Sequence, residues 1–430
     1  MDLAGAFAYL DDHVNLETDA SARAASKRLD RVGRLVELMG QPQHAYPVVH
    51  LTGTNGKGST ARMLTALLVA KGLSAGTYTS PHLEHINERI AWNGEPISDA
   101  AFVEIVEAVA SVEQVMDDAP THFEILTAAA FRWFADVAVD VAVVEVGLGG
   151  RWDATNVADG EVAVVTNVSL DHAETIGPTL VDIATEKAGI VKPGSTLVLG
   201  ETDPVLAEIF RAADASEAWE RDRDFGCEAN SLAHGGRLLD LRTPGARYSD
   251  VYLPLHGAHQ GENAAIALCA AEAFFGAPFD ADVVEEAFAG VRVPGRLEVV
   301  GRQPLVVLDG AHNPAGARAA ADAIAEAFGG AAGKVLVVGL LQGKDPAEML
   351  EALEAGSARM LVACPAPSPR TLAPADVAGA GRALGLETDT AGSVPEALAR
   401  ALAVASPDDL VLVSGSLYVV GAARAALSTR

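Results

Sequence analysis

Short runs of β-branched and other apolar residues recur along the chain, each ending in glycine or a polar turn. They are Tyr46–Leu51, Val141–Val146, Val162–Thr166, Leu305–Leu308, Val335–Val338 and Leu410–Val413. None alternates strictly between apolar and polar positions, which predicts strands covered on both faces, as in parallel sheets. Between them lie Ala-rich stretches of helical period, at Ser59–Lys71, Asp99–Met116, Phe123–Val137, Asn263–Phe275 and Asn313–Phe328. This alternation predicts an α/β protein with mostly parallel sheets. The run from Asp203 to Gly257 differs: its pieces are short, polar and turn-rich. It predicts a small antiparallel sheet at the edge of the first domain. A boundary falls near Val293-Pro294-Gly295-Arg296, after which a second α/β set begins. The expected domains are 1–293 and 294–430, the second Rossmann-like.

Length supports that division, since 430 residues exceed one ordinary core. Charge narrows the partners. With 31 Lys and Arg against 58 Asp and Glu, the formal charge is −27. Such a chain repels phosphate backbones and anionic lipid, which argues against nucleic-acid and membrane partners. Cys227, Cys269 and Cys364 lie far apart, without the pairing of a disulfide framework or zinc site. The first 20 residues carry Asp where a signal peptide carries Lys or Arg. No segment reaches the roughly 20 apolar residues of a membrane span. The expected location is the cytoplasm and the expected state a monomer.

The sharpest motif is Gly53-Thr54-Asn55-Gly56-Lys57-Gly58-Ser59, followed by Thr60. It follows a predicted strand and opens a helix expected from near Ser59, the context of a P-loop. Glycines let backbone N–H groups turn toward phosphate oxygens, Lys57 adds a charge, and the helix dipole points at the anion. That reading makes the first domain P-loop ATPase-like. The pattern departs from G-x-x-x-x-G-K-S/T: two residues separate Gly53 from Gly56, and Gly58 stands where Ser or Thr follows Lys.

Further candidates cluster at predicted strand ends. Ser80, in Tyr78–Leu83, offers a hydroxyl for Mg²⁺ or simply belongs to an ordered loop. Glu145 ends a strand before Gly147-Leu148-Gly149-Gly150, and a carboxylate there faces the ligand crevice of a parallel sheet. His172, beside Asp171, could complete a second metal position or be merely exposed. Lys187 at a helix end reads first as a lysine facing the helix dipole. His259–Asn263 opens a helix, Pro294–Glu298 marks the boundary, and Asp309 and His312 occupy a strand-to-helix turn that could also serve as a cap.

Taken in order, TGTNGKGS, TSPHL with NERI, VEVGLGGRWDATN, NVSLDH, EKAGI, HQGEN, PGRLE and DGAHNP span residues 50–316. Together they resemble the folylpolyglutamate synthase/dihydrofolate synthase branch of the Mur ligase superfamily, in which the loop carries Gly after Lys. SGSLYVVG extends the resemblance nearly to the C-terminus. The resemblance implies that ATP phosphorylates a folate carboxylate and that the amine of L-glutamate displaces phosphate. The acceptor would be dihydropteroate, a reduced folate such as tetrahydrofolate, or both. It further implies two Mg²⁺ sites, one on Ser80 and Glu145, the other on Glu145 and His172. Lys187 matches a lysine carbamylated by CO₂. Asn263 and Arg296 match ATP contacts, and Asp309 and His312 a second-domain contribution to nucleotide and glutamate handling.

Three other readings fit less well, one of them a non-catalytic binding protein that keeps the fold, against which intact Lys57, Glu145, His172 and Lys187 speak. A Mur ligase acting on a cell-wall nucleotide precursor would carry a UDP-binding domain, and only about 45 residues precede the first strand here. A P-loop kinase or switch would need neither DGAHNP nor Lys187.

Overall fold

The computed structural model describes residues 1–15, 17 and 27–428. The N-terminal stretch read above for its charge includes residues 16 and 18–20, which lie outside the described residues. Eight strands form the first sheet: β1 (Val48–Thr52), β2 (Ala75–Tyr78), β3 (Ile90–Trp92), β4 (Glu95–Pro96), β5 (Val141–Glu145), β6 (Gly160–Val165), β7 (Thr196–Leu199) and β8 (Glu217–Glu220). Their order is β4-β3-β2-β5-β1-β6-β7-β8. Pairing is parallel from β2 to β8 and antiparallel only at the β2-β3-β4 edge. Every residue of β1 and β5 is buried, as unalternated apolar runs require when helices cover both faces.

One face packs against the helices Lys57–Ala70 and His259–Phe275, with Leu64, Leu67, Ile266 and Leu268 fully or almost fully buried. The other face packs against Asp99–Glu113 and His122–Asp136 through Phe102, Val106, Phe131 and Phe134.

The antiparallel excursion is present but shorter than expected. Residues 204–220 form a helix and β8, which extend the main sheet, because Glu217–Glu220 pairs parallel with β7. The antiparallel part is β9 (Gly226–Ala233), β10 (Gly236–Arg242) and β11 (Arg247–Leu253), a sheet of its own in the order β11-β10-β9. Its inward residues Leu239, Leu241 and Val251 join the core below the His259–Phe275 helix.

The second domain holds six strands: β12 (Glu298–Arg302), β13 (Leu305–Leu308), β14 (Lys334–Val338), β15 (Met360–Ala363), β16 (Thr388–Thr390) and β17 (Leu410–Ser414). They lie in the order β12-β13-β17-β14-β15-β16, parallel except for the β12–β13 edge. Helices cover both faces, giving two apolar clusters. The C-terminal strand ends of the two sheets face a common cleft, the crevice where α/β sheets bind ligands.

Candidate functional site

The phosphate loop leaves the end of β1. The helix starts at Lys57, two residues earlier than its composition suggests, because Gly56 adopts φ +85° as the cap. Glycine is required there for a second reason: a Cβ at Gly56 would overlap the Asn263 side chain. Gly53, at φ +149°, lies against the Thr166 hydroxyl so closely that no side chain fits. The end of β6 braces this loop. Thr166 Oγ1 and Asn167 Nδ2 donate to the Asn55 carbonyl at 2.7 and 2.9 Å, and Asn55 N donates to Asn167 Oδ1 at 3.0 Å. The NVSLDH motif therefore holds the loop, a role its residue types did not disclose.

Two lysines converge on the loop. Lys57 Nζ donates to the Gly53 carbonyl at 3.1 Å, and Lys187 Nζ donates to the same oxygen at 2.8 Å. Lys187 is buried, and burial, with the nearby Lys57 charge, lowers its ammonium pKa to about 7. Beyond the helix end it closes, Lys187 thus brings its amine to the loop.

Glu145 points from the end of β5 toward the same space, with Oε2 accepting the Ser80 N–H at 3.2 Å. Burial raises its carboxyl pKa, opposed by Lys57, Arg296 and Arg62. From Gly58 its Oε2 is 3.6 Å from where a Cβ would stand. With no side chain at Gly58, the Glu145 carboxylate faces the loop directly. Among the described residues no three His, Cys, Asp or Glu side chains form a metal cage. Ser80 and Glu145 do bring oxygen donors, the type Mg²⁺ takes, to this cleft.

The second domain closes the cleft. Asp309, at the end of β13, accepts from Leu297 N and Ala311 N at 3.0 and 2.9 Å; burial raises its pKa, and Arg296 opposes that rise. The capping function at this turn belongs to Asn313, whose Oδ1 accepts the Gly316 N–H, so Asp309 and His312 are not needed for it. Asn313 Nδ2 also donates to Asn55 Oδ1 at 2.9 Å and to Asp171 Oδ2 at 3.1 Å. Asp171 further pairs with Lys344 and lies 3.4 Å from His312 Nε2. Burial alone would raise the Asp171 pKa, but the bond from His312 and the charges of His172 and Lys344 hold it far below the carboxylate range. Sequence reading missed this junction. Lys344 stands alone in a loop, and no local signal links it to a residue 173 positions away.

A cleft of about 440 Å³ gathers Gly53–Ser59, Ser80, Glu145, His172, Lys187, Asn263, Arg296, Asp309 and His312. Thr60 is the exception: it is fully buried in the loop helix and does not line the cleft. A second cavity of about 240 Å³ adjoins it, sharing Ser80, His172 and His312. Its walls include Phe123, Leu148, Trp152, Ile176, Leu417 and Tyr418. A flat apolar group fits such walls. Gly147 lets the Phe123 ring lie against the backbone beside Glu145, since a Cβ there would fall 2.5 Å from the ring. At the edge, Glu17 is paired with the buried Arg89 through two bonds of 2.7 Å.

Known proteins match both halves. The Mur ligase middle domain matches residues 51–271, and the Mur ligase glutamate ligase domain residues 295–417. The dihydrofolate synthase/folylpolyglutamate synthase of Mycobacterium tuberculosis is 47% identical over 325 residues, which is 70% of this chain and 66% of that protein, just under two thirds of its length. The folylpolyglutamate synthase of Lacticaseibacillus casei is 36% identical over 411 residues, covering 92% of this chain and 94% of that protein. The crystal structure of Mycobacterium tuberculosis folylpolyglutamate synthase complexed with ADP and AMPPCP superposes with a TM-score of 0.90 at 40% identity, covering 99% of this chain and 98% of that one. With both domains matched and relatives aligned over nearly the whole chain, this protein belongs to the Mur ligase family, in its folylpolyglutamate synthase branch.

Proposed function

We propose that this protein joins L-glutamate to folates at the expense of ATP, extending reduced folates such as tetrahydrofolate and also converting dihydropteroate to dihydrofolate. The observation that carries this reading is the meeting of two unlike cavities. A polar cleft suited to a triphosphate and an apolar pocket suited to a flat ring share one wall at Ser80, His172 and His312. A carboxylate on a ring-bearing acceptor would meet the γ-phosphate there. The names of the relatives supply the substrate class.

A carboxylate is a poor electrophile, so it first attacks the γ-phosphorus, the bond to the β-phosphate oxygen breaks, and ADP leaves. The glutamate amine then attacks the acyl carbon, and the C–O bond breaks with departure of phosphate. The loop amides and Lys57 hold the transferring group. His312, held by Gly310 through Nδ1 and facing Asp171 through Nε2, is placed to position the incoming glutamate where the two cavities meet. Ser80 and Glu145 would hold one Mg²⁺ and Glu145 with His172 a second, where the ions offset repulsion between the triphosphate and the incoming carboxylate. Lys187 is a candidate for carbamylation, because its neutral amine can bond to the carbon of CO₂ with loss of one proton. We divide the chain at 293/294 and take the two domains to close over the nucleotide.

Hydroxylamine tests the intermediate. With ATP and acceptor but no glutamate, an acyl phosphate is trapped as a hydroxamate; ADP formation without hydroxamate would contradict the route. Arg296→Ala should raise the KM for ATP by about 10- to 100-fold, the scale of a lost hydrogen bond to a charged group, with kcat changed less. His172→Ala should raise the magnesium concentration for half-maximal turnover by about 10-fold, in line with lost metal-site contacts. A titration of activity against magnesium reads that shift.

A further inference from the structure

The three-stranded sheet β9–β11 has no part in the reaction as described, yet it bridges the two domains. Arg237, on β10, has a buried guanidinium whose Nη1 donates at 2.5 Å to Glu326 on the second-domain helix Pro314–Phe328. Its Nη2 donates to the Asn230 carbonyl at 3.0 Å, and its Nε to the Asn230 side chain. Asn230 Nδ2 in turn donates at 2.7 Å to the carbonyl of Ala258, the cap of the helix His259–Phe275. That helix carries Asn263 against Gly56 of the phosphate loop. Beside this link the His256 ring meets Phe328, with centroids 4.8 Å apart at 60°.

The helix Pro314–Phe328 is therefore gripped by the first domain at both ends. At its start Asn313 bonds to Asn55 and Asp171; near its end Glu326 and Phe328 meet Arg237 and His256. The first grip touches the phosphate loop directly. The second lies outside both cavities, since neither Arg237 nor Glu326 lines them. A guanidinium so thoroughly removed from water needs a carboxylate partner, and here the partner belongs to the other domain. Opening of the cleft would break that pair, so the pair favours the closed arrangement.

We propose that the β9–β11 sheet is a strut holding the second domain over the nucleotide cleft, with Arg237 and Glu326 as its positioning residues. This rests on the cleft being the nucleotide site. Loss of the strut shifts the population toward open molecules and lowers the apparent nucleotide affinity by the fraction closed. The acceptor pocket, walled partly by Leu417 and Tyr418 of the second domain, loosens with it.

Glu326→Gln tests this: Glu326 is partly exposed, the Gln oxygen can still accept from Arg237, Arg237 keeps its bonds to Asn230, and a melting curve checks that the variant is folded. The KM for ATP and the Kd for ADP should rise by about 5- to 10-fold, the low end of conformational coupling, while kcat stays within about 2-fold. Glu326→Asp should recover part of the loss. Unchanged ADP affinity in Glu326→Gln, or a fall in thermal stability alone, overturns the proposal. Small-angle scattering of the ligand-free protein separates this from the assignment of function. If the wild type binds no ADP, the functional reading fails, and the strut still predicts a larger radius of gyration for Glu326→Gln. An unchanged radius overturns it.

Discussion

Lys57→Ala should reduce turnover with any acceptor by at least about 1000-fold, the upper range for losing a charge aimed at a transferring group. Lys57 opens the loop helix, and its ammonium rests on the Gly53 and Thr54 carbonyls, at 3.1 and 3.4 Å. A triphosphate offers it a stronger partner than those carbonyls. Folding should be little affected, because the loop is held separately by Thr166, Asn167 and Ser169. Single-turnover formation of ADP, alongside a melting curve, checks this. Retained turnover in a folded variant would mean that the loop does not serve ATP.

The second large effect is at Lys187. Lys187→Met keeps the length of the side chain but removes the amine, and should lower kcat by about 100-fold or more if the carbamate stands beside the phosphates. The same variant should alter the dependence of stability on pH. Burial brings the folded-state pKa from 10.5 to about 7. Between those values the unfolded chain holds a proton that the folded chain has shed, so stability rises with pH across that window, by up to about 1.4 kcal/mol per unit. Lys187→Met should flatten that rise. Denaturant unfolding from pH 7 to 10 measures it, and an identical slope in both proteins would contradict the burial argument. With ¹³C-labelled bicarbonate, a carbamate signal present in the wild type and lost in the variant would identify the modification.

The sheets were readable because their strands are buried on both faces. Leu305–Leu308 is recovered residue for residue, and Val141–Val146 to within one position. Helix starts were less legible where the cap is a backbone conformation: nothing in the composition tells that Gly56 turns left-handed and Lys57 begins the helix. Residues 204–220 misled because an edge strand with three exposed or half-buried residues resembles a polar turn-rich segment. Strand-end motifs exposed most of the site, since each ends a parallel strand at one crevice. What remained hidden were partnerships across sequence. The Asp171–Lys344 pair, the Asn55–Asn313 bond and the joining of two cavities at Ser80 all depend on how one domain sits over the other.

The central claim is the acceptor. Phosphate release from ATP in the presence of L-glutamate, measured with 7,8-dihydropteroate, with tetrahydrofolate and with a UDP-sugar peptide, tests it most directly. The account predicts glutamate-dependent release with both pteridines and none with the UDP-sugar peptide. Release with the UDP-sugar peptide alone would contradict it.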